Sequence, residues 1–114
     1  MMREKRTASR RINFIPCQKL YLSDENLDIE GIFHRIRMGK KCRSFYLIAR
    51  SEREGELFVI YSAQELLLPI YDGRDIYVAG IAKGYRRTLG LLIEMLLVMY
   101  QDTKTFDVDH YFHP

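Results

Sequence analysis

Residues 85–102, YRRTLGLLIEMLLVMYQD, decide the fold because they predict one long and very apolar helix. Apolar side chains cover more than one face of this helix, whereas an ordinary surface helix carries a single apolar stripe. The nearly apolar run from Leu89 to Tyr100 is twelve residues long. A membrane-spanning helix needs about 20 apolar residues. The stretch therefore predicts a helix of the protein core and no membrane contact.

The residues before this helix predict strands. Phe45 to Ala49 and Leu57 to Tyr61 are continuous apolar runs around a charged loop, which indicates a β-hairpin with Gly55 at its turn. Asp75 to Ile81 reads as the next strand. Runs without alternation are typical of inner strands that are covered on both faces.

Helical spacing appears a second time, from Ile29 to Ile36. Capping residues lie between Ser23 and Asn26, and Gly39 is a natural stop. Between the hairpin and the third strand, Ser62 and Glu65 fit a capping box, which predicts a short helix.

Both ends of the chain predict strands as well. Residues 12–22 favour one or two short strands that Pro16 interrupts, and residues 106–112 alternate as a half-buried edge strand does. Together these elements predict an α+β fold with a mostly antiparallel sheet of about four to five strands and helices packed on one face. A ferredoxin-like variant is one arrangement that fits. We expect residues 1–11 to form a disordered basic tail and residues 12–114 to form a single domain.

The composition favours a folded chain and the cytoplasm. Of 114 residues, 47% are hydrophobic and 29% are charged, unlike a disordered chain. The residues after the basic N-terminus are too short and polar for a signal peptide. The two cysteines, Cys17 and Cys42, form no C-x-x-C pair, and we expect free thiols.

The junction before the long helix predicts an anion-binding site. Free backbone N–H groups at a helix start attract anions, and Lys83, Gly84, Arg86 and Arg87 surround this start. Cations in a first helical turn oppose the helix dipole, so a phosphate, an acidic partner or a nearby carboxylate would account for them. Ordinary packing and solvation are the alternative. The glycine spacing matches neither a dinucleotide fingerprint nor a P-loop.

The N-terminal half of the chain is basic, which suggests contact with nucleic acid. Residues 1–43 hold 11 Lys and Arg against 5 Asp and Glu, whereas residues 44–114 hold 7 against 10. Lysine and arginine bind phosphates with little dependence on sequence. The candidates are Arg10, Arg11, Arg35, Arg37, Lys40, Lys41 and Arg43. A solvated basic arm, with cations that favour a helix C-terminus, explains the same pattern.

Catalytic and metal-binding patterns are weak in this sequence. Asp107, Asp109, His110 and His113 offer metal ligands, but a strand would direct His110 away from the two aspartates. Neither cysteine has a neighbouring histidine, and no serine sits in a G-x-S-x-G elbow. We therefore expect no metal and no cofactor, and a non-enzymatic role is favoured over an enzyme, which would need a cleft that joins candidate groups, since a spatial triad leaves no local pattern.

Residues 44–112 resemble short uncharacterised bacterial proteins associated with mobile or conjugative elements. The resemblance lies in the segments Phe45–Arg50, Glu65–Pro69 and Ile76–Ala82 and in Tyr100. It implies a bacterial cytoplasmic accessory protein and brings no catalytic residue with it.

The leading functional hypothesis is a non-enzymatic interaction module that associates with itself or with another protein, because the long helix is apolar on several faces. Leu91 and Val98 are the positions at which a charge would test it. A nucleic-acid-binding accessory protein that uses the basic half is the alternative.

Overall fold

A computed structural model describes residues 12–114, in which four strands form one mixed sheet. Strands β1 (Asn13–Leu22), β2 (Phe45–Arg50), β3 (Phe58–Ser62) and β4 (Asp75–Lys83) lie in the order β1-β4-β2-β3. β1 pairs with β4 in parallel, while β2 pairs antiparallel with both β3 and β4. The α+β class is confirmed, and the four-stranded sheet is mixed, with one parallel and two antiparallel pairings.

Three helices accompany the sheet within residues 12–114: α1 (Ile29–Arg37), α2 (Tyr85–Thr103) and α3 (Val108–Tyr111). Two short 3₁₀ turns, Glu65–Leu67 and Pro69–Tyr71, connect β3 to β4. A ferredoxin-like arrangement needs a strand after its second helix. Since α2 is followed by α3 instead, that arrangement is not confirmed. Over the described part of the chain, no helix has both the length and the apolarity that a bilayer crossing requires.

The helices pack on both faces of the sheet, so the prediction of one face is wrong. Leu47 and Ile48 are both fully buried on β2, and they belong to separate core clusters because successive strand residues point to opposite faces. Phe33 and Ile36 of α1 pack in the cluster of Leu47. Met95 of α2 packs in the cluster of Ile48. This two-sided cover explains why the inner strands β2 and β4 are apolar without alternation. The prediction of an inner strand is wrong for β3, which lies at the edge of the sheet.

Local side-chain chemistry sets the ends of α1 and of the 3₁₀ turn. Asp28 caps α1, and its Oδ1 accepts a hydrogen bond from the Gly31 N–H at 3.0 Å, later in the chain than the predicted caps. Gly39 stands just past α1 with φ +72°, which confirms the predicted stop. The capping box is confirmed because Ser62 Oγ accepts from the Glu65 N–H at 2.9 Å, but the turn it starts is 3₁₀.

The N-terminal strand is continuous through Pro16. β1 lies at the edge of the sheet, where a residue without an N–H group is tolerated. Its pairing with β4 shifts register between Pro16 and Tyr21, so the irregularity predicted from the proline appears as a shift and not as a break.

The predicted final strand, residues 106–112, is wrong, because this segment contains α3. Asp107 caps α3 with a hydrogen bond from the His110 N–H to its Oδ1 at 3.3 Å. Val108, Tyr111 and Phe112 are buried, and their spacing is helical. Phe112 is completely buried and lies edge-on to three other rings, those of Tyr21, Phe58 and Tyr111.

Candidate functional site

The predicted anion-binding residues lie together where β4 turns into α2. Gly84 has φ +90°, a conformation that L side chains rarely adopt, and its N–H donates to the Ser44 carbonyl. The Lys83 N–H donates to Ser23 Oγ at 3.0 Å. Arg87 Nη1 lies 3.1 Å from both carboxylate oxygens of Asp24.

Asp24 supplies the nearby carboxylate that accounts for one of the cations at the start of α2. Both side chains of the Arg87 and Asp24 pair are well exposed, so solvent screens the attraction between them. Lys83 and Arg86 are exposed beside this pair. Because Arg87 is paired with Asp24, only Lys83, Arg86 and the N–H groups at the start of α2 remain, of the predicted site, to bind an anion. Anion binding at this junction stays a prediction.

The basic residues of α1 and the segment after it are divided between structural contacts and solvent. Arg35 Nη2 donates to the Lys41 carbonyl at 2.5 Å, and Arg37 Nε donates to the Ile12 carbonyl at 3.2 Å. Lys40 and Lys41 are exposed. Arg43 is exposed as well, whereas Arg10 and Arg11 lie outside the described residues. Three exposed cations thus lie within four residues of one another in the segment after α1.

A cleft of about 470 Å³ opens between the β2–β3 loop and the segment that leads into α3. In its lining, Arg50 Nε lies 3.2 Å from Asp109 Oδ1 as an ion pair without hydrogen-bond alignment, and the guanidinium carbon lies 4.6 Å from the Tyr77 ring centroid. Carboxylates outnumber basic side chains among the lining residues: Glu52, Glu54, Glu56, Asp107 and Asp109. Sequence patterns missed this cleft because its two walls are far apart in the chain.

The two cysteines are buried and carry no disulfide. Burial raises the pKa of the Cys17 thiol to about 11, although the Arg50 guanidinium opposes the shift. Burial also raises the pKa of the Cys42 thiol, against the effect of Arg35. Thiolates are the nucleophilic form of cysteine, so both groups lie in environments that suppress reactivity.

The aspartates near the C-terminus have structural contacts. Asp107 caps α3, and Asp109 pairs with Arg50. Among residues 12–114, no group of three or more histidine, cysteine, aspartate or glutamate side chains is arranged to hold a metal ion.

The outward face of α2 is the most unusual surface of the described chain. Its buried side is narrow and consists of Thr88, Leu91, Met95 and Met99. On the opposite side, large apolar side chains stand in solvent along the whole helix. They are Tyr85, Leu89, Ile93, Leu97 and Tyr100, and we call them the α2 stripe.

The side chains of the α2 stripe are far more exposed than those of core residues. Ile93 is 58% exposed and Leu97 is 56% exposed. The stripe continues onto neighbouring rings, because Tyr100 stacks on Phe106 at 5.1 Å between ring centroids and Tyr85 meets Tyr46 at 5.5 Å. Leu91 is only 7% exposed and faces the sheet, so a charge at this position would test core packing and not an interface.

Comparison of this chain with protein-family models, with curated proteins and with solved structures finds no match.

Proposed function

We propose that this chain is a non-enzymatic interaction module and that the α2 stripe is its docking surface. The observation that carries the proposal is the line of exposed apolar side chains on a well-formed helix. Contiguous apolar patches on a protein surface are typical of interaction sites, whereas single exposed apolar residues are common and have no such meaning. The burial of both cysteines and the structural contacts of Asp107 and Asp109 favour a binding role over a catalytic one.

The strength of such an interaction follows from the exposed surface. Covering the exposed half of one large apolar side chain contributes about 1 kcal/mol, half of what full burial gives. Five such side chains on each of two surfaces contribute roughly 10 kcal/mol, and association costs at least about 4 kcal/mol. The difference of about 6 kcal/mol corresponds to a dissociation constant of tens of micromolar. We therefore expect a reversible association and not an obligate one.

Self-association tests the proposal without a second protein. Light scattering from about 10 µM to about 1 mM should show the mass of the chain rising with concentration. Ile93→Glu and Leu97→Glu should stay monomeric and folded, because each places a charge on the outside of α2. Ile70→Glu is the matched control, since Ile70 is 69% exposed on a 3₁₀ turn away from α2. A wild-type chain that is monomeric throughout, or a control that acts as the stripe variants do, would contradict the proposal.

Nucleic-acid binding is the second candidate function, and the exposure of Lys40, Lys41 and Arg43 at one end of α1 favours it. Phosphate contacts give an affinity that falls steeply with salt. The test is fluorescence anisotropy of labelled single-stranded and duplex DNA over a range of salt concentrations. Changing Lys40 and Lys41 to glutamate should weaken binding, and an unaltered affinity would remove this function.

The resemblance to bacterial accessory proteins of mobile elements suits either role. An adaptor that joins copies of itself, or that lies on DNA, needs a stable surface more than a catalytic cleft. A cytoplasmic, bacterial setting belongs to the same proposal.

A further inference from the structure

Gly90 is a glycine that the described fold does not need. It lies in the interior of α2, where glycine destabilises a helix relative to alanine. A Cβ atom at Gly90 would have no described heavy atom within 4 Å, apart from the backbone of its own helix and its chain neighbours. In contrast, a Cβ atom at Gly80 would meet the sulfur of Met95 at 3.1 Å. A glycine with open space around it, on an exposed helix face, is what a second backbone would need for close approach.

Two opposite charges flank Gly90 symmetrically. Arg86 precedes it by four residues and Glu94 follows it by four, so the three residues form one ridge along α2 beside the α2 stripe. Both charged residues are exposed. Within residues 12–114, neither side chain has a hydrogen bond or a salt bridge, unlike the neighbouring Arg87.

The charges on this ridge are complementary to those of a second copy whose helix runs in the opposite direction. In an antiparallel pair of helices that cross at Gly90, the residue four positions before the crossing lies opposite the residue four positions after it. Arg86 would then face Glu94 of the partner copy, and the same contact would occur twice. A parallel pair in the same register would place Arg86 against Arg86 and Glu94 against Glu94, which repels.

We propose that the occupant of the α2 stripe is a second copy of this chain, packed antiparallel across a two-fold axis at Gly90. The inference rests on the proposed function, because it assigns the partner and its orientation to the same surface. Leu89 and Ile93, within one turn of Gly90, and Leu97, two turns further along α2, supply the buried contact. The Arg86 and Glu94 pairs select the antiparallel direction. A shallow cleft of about 280 Å³ beside Gly90, bordered by Leu22 and Arg87, gives the partner's side chains room.

Charge reversal tests the pairing. Arg86→Glu and Glu94→Arg should each raise the dissociation constant of the dimer roughly tenfold, because each turns two attractions into two repulsions. The double variant should return to within about threefold of the wild type, since its two ion pairs are restored with the charges exchanged. Gly90→Leu should fold at least as well as the wild type, because leucine favours a helix, yet it should stay monomeric.

Cysteine cross-linking measures the orientation directly, with Cys17 and Cys42 buried and out of reach. Gly90→Cys should form a disulfide between two copies although leucine prevents association, because the two sulfur atoms of a disulfide approach to about 2 Å, closer than two leucine side chains can. Arg86→Cys should not, because its two copies would lie about 12 Å apart along the helices, beyond the roughly 7 Å between Cα atoms that a disulfide allows. A mixture of Arg86→Cys and Glu94→Cys should cross-link as a heterodimer.

The outcomes separate the two proposals. If the wild type associates and Ile93→Glu prevents it, but the double charge variant is as weak as the single ones or Arg86→Cys links to itself, the antiparallel geometry is wrong and the interaction surface stands. If the wild type is monomeric up to about 1 mM, both proposals fail. Restoration by the double variant, together with the cross-linking pattern above, would support the geometry.

Discussion

Replacing Phe112 with alanine tests whether the C-terminal segment belongs to the core. An edge strand over residues 106–112 would place Phe106 and Phe112 on the same face, because strand side chains alternate. In the structure, Phe112 is fully buried whereas Phe106 is 48% exposed. Phe112→Ala and Phe106→Ala should therefore change the free energy of unfolding by very different amounts, although each removes a phenylalanine side chain.

The expected magnitude follows from the surroundings of the ring. Phe112 is enclosed by the rings of Tyr21, Phe58 and Tyr111, at centroid distances of 5.9, 5.5 and 5.0 Å. A buried phenylalanine changed to alanine costs about 3–5 kcal/mol. Domains of this size are stable by about 5–15 kcal/mol, so Phe112→Ala should remove a large share of the free energy of unfolding.

Urea denaturation followed by circular dichroism and tyrosine fluorescence measures this difference. With a slope of about 1–2 kcal/mol/M, Phe112→Ala should lower the midpoint by roughly 2 M or more. Phe106→Ala, the matched control, should cost under about 1 kcal/mol, since it loses only its stacking with Tyr100. Equal and small losses from both variants would show that the C-terminal segment does not pack as described.

Three further outcomes are expected from the same denaturation assay. Above about pH 9 the wild type should lose stability relative to Cys17→Ala, because the raised pKa of the Cys17 thiol makes the folded state hold its proton up to a pH of about 11. A difference that is constant from pH 8 to pH 11 would refute this. Ser62→Ala should cost about 1 kcal/mol by removing the hydroxyl that accepts from the Glu65 N–H, and an unchanged midpoint would count against the capping box. Gly80→Ala should lower the free energy of unfolding by about 1–3 kcal/mol because its Cβ crowds the sulfur of Met95. A gain in stability would mean that the neighbouring side chains move aside without loss of packing.

The sequence predicts the position of α2 better than it predicts which of its side chains are buried. The apolar run located α2 from Tyr85 to Asp102, one residue short of its end at Thr103. It did not show which apolar residues face outward, because Leu91 and Ile93 are equivalent in hydropathy and differ only in direction. The direction depends on where β1, β4 and α3 lie, and that is tertiary information.

The C-terminal helix was missed because two periods overlap in seven residues. Phe106, Val108 and Phe112 fit an alternating strand, while Val108, Tyr111 and Phe112 fit a helix. Asp107, a residue type that favours the first position before a helix, was the available signal. Contacts such as Arg87 with Asp24, 63 residues apart, leave no local pattern at all.

The central position of β4 affects the order in which the chain acquires its structure during synthesis. β2 and β3 are close in sequence and can pair early, whereas β1 pairs with a strand whose first residue, Asp75, follows Asn13 by 62 positions. Contacts between distant residues slow folding, and an unpaired strand edge invites aggregation. A nascent chain of this protein therefore carries its N-terminal strand unpaired until β4 has left the ribosome. We expect β1, although it is made first, to join the sheet last.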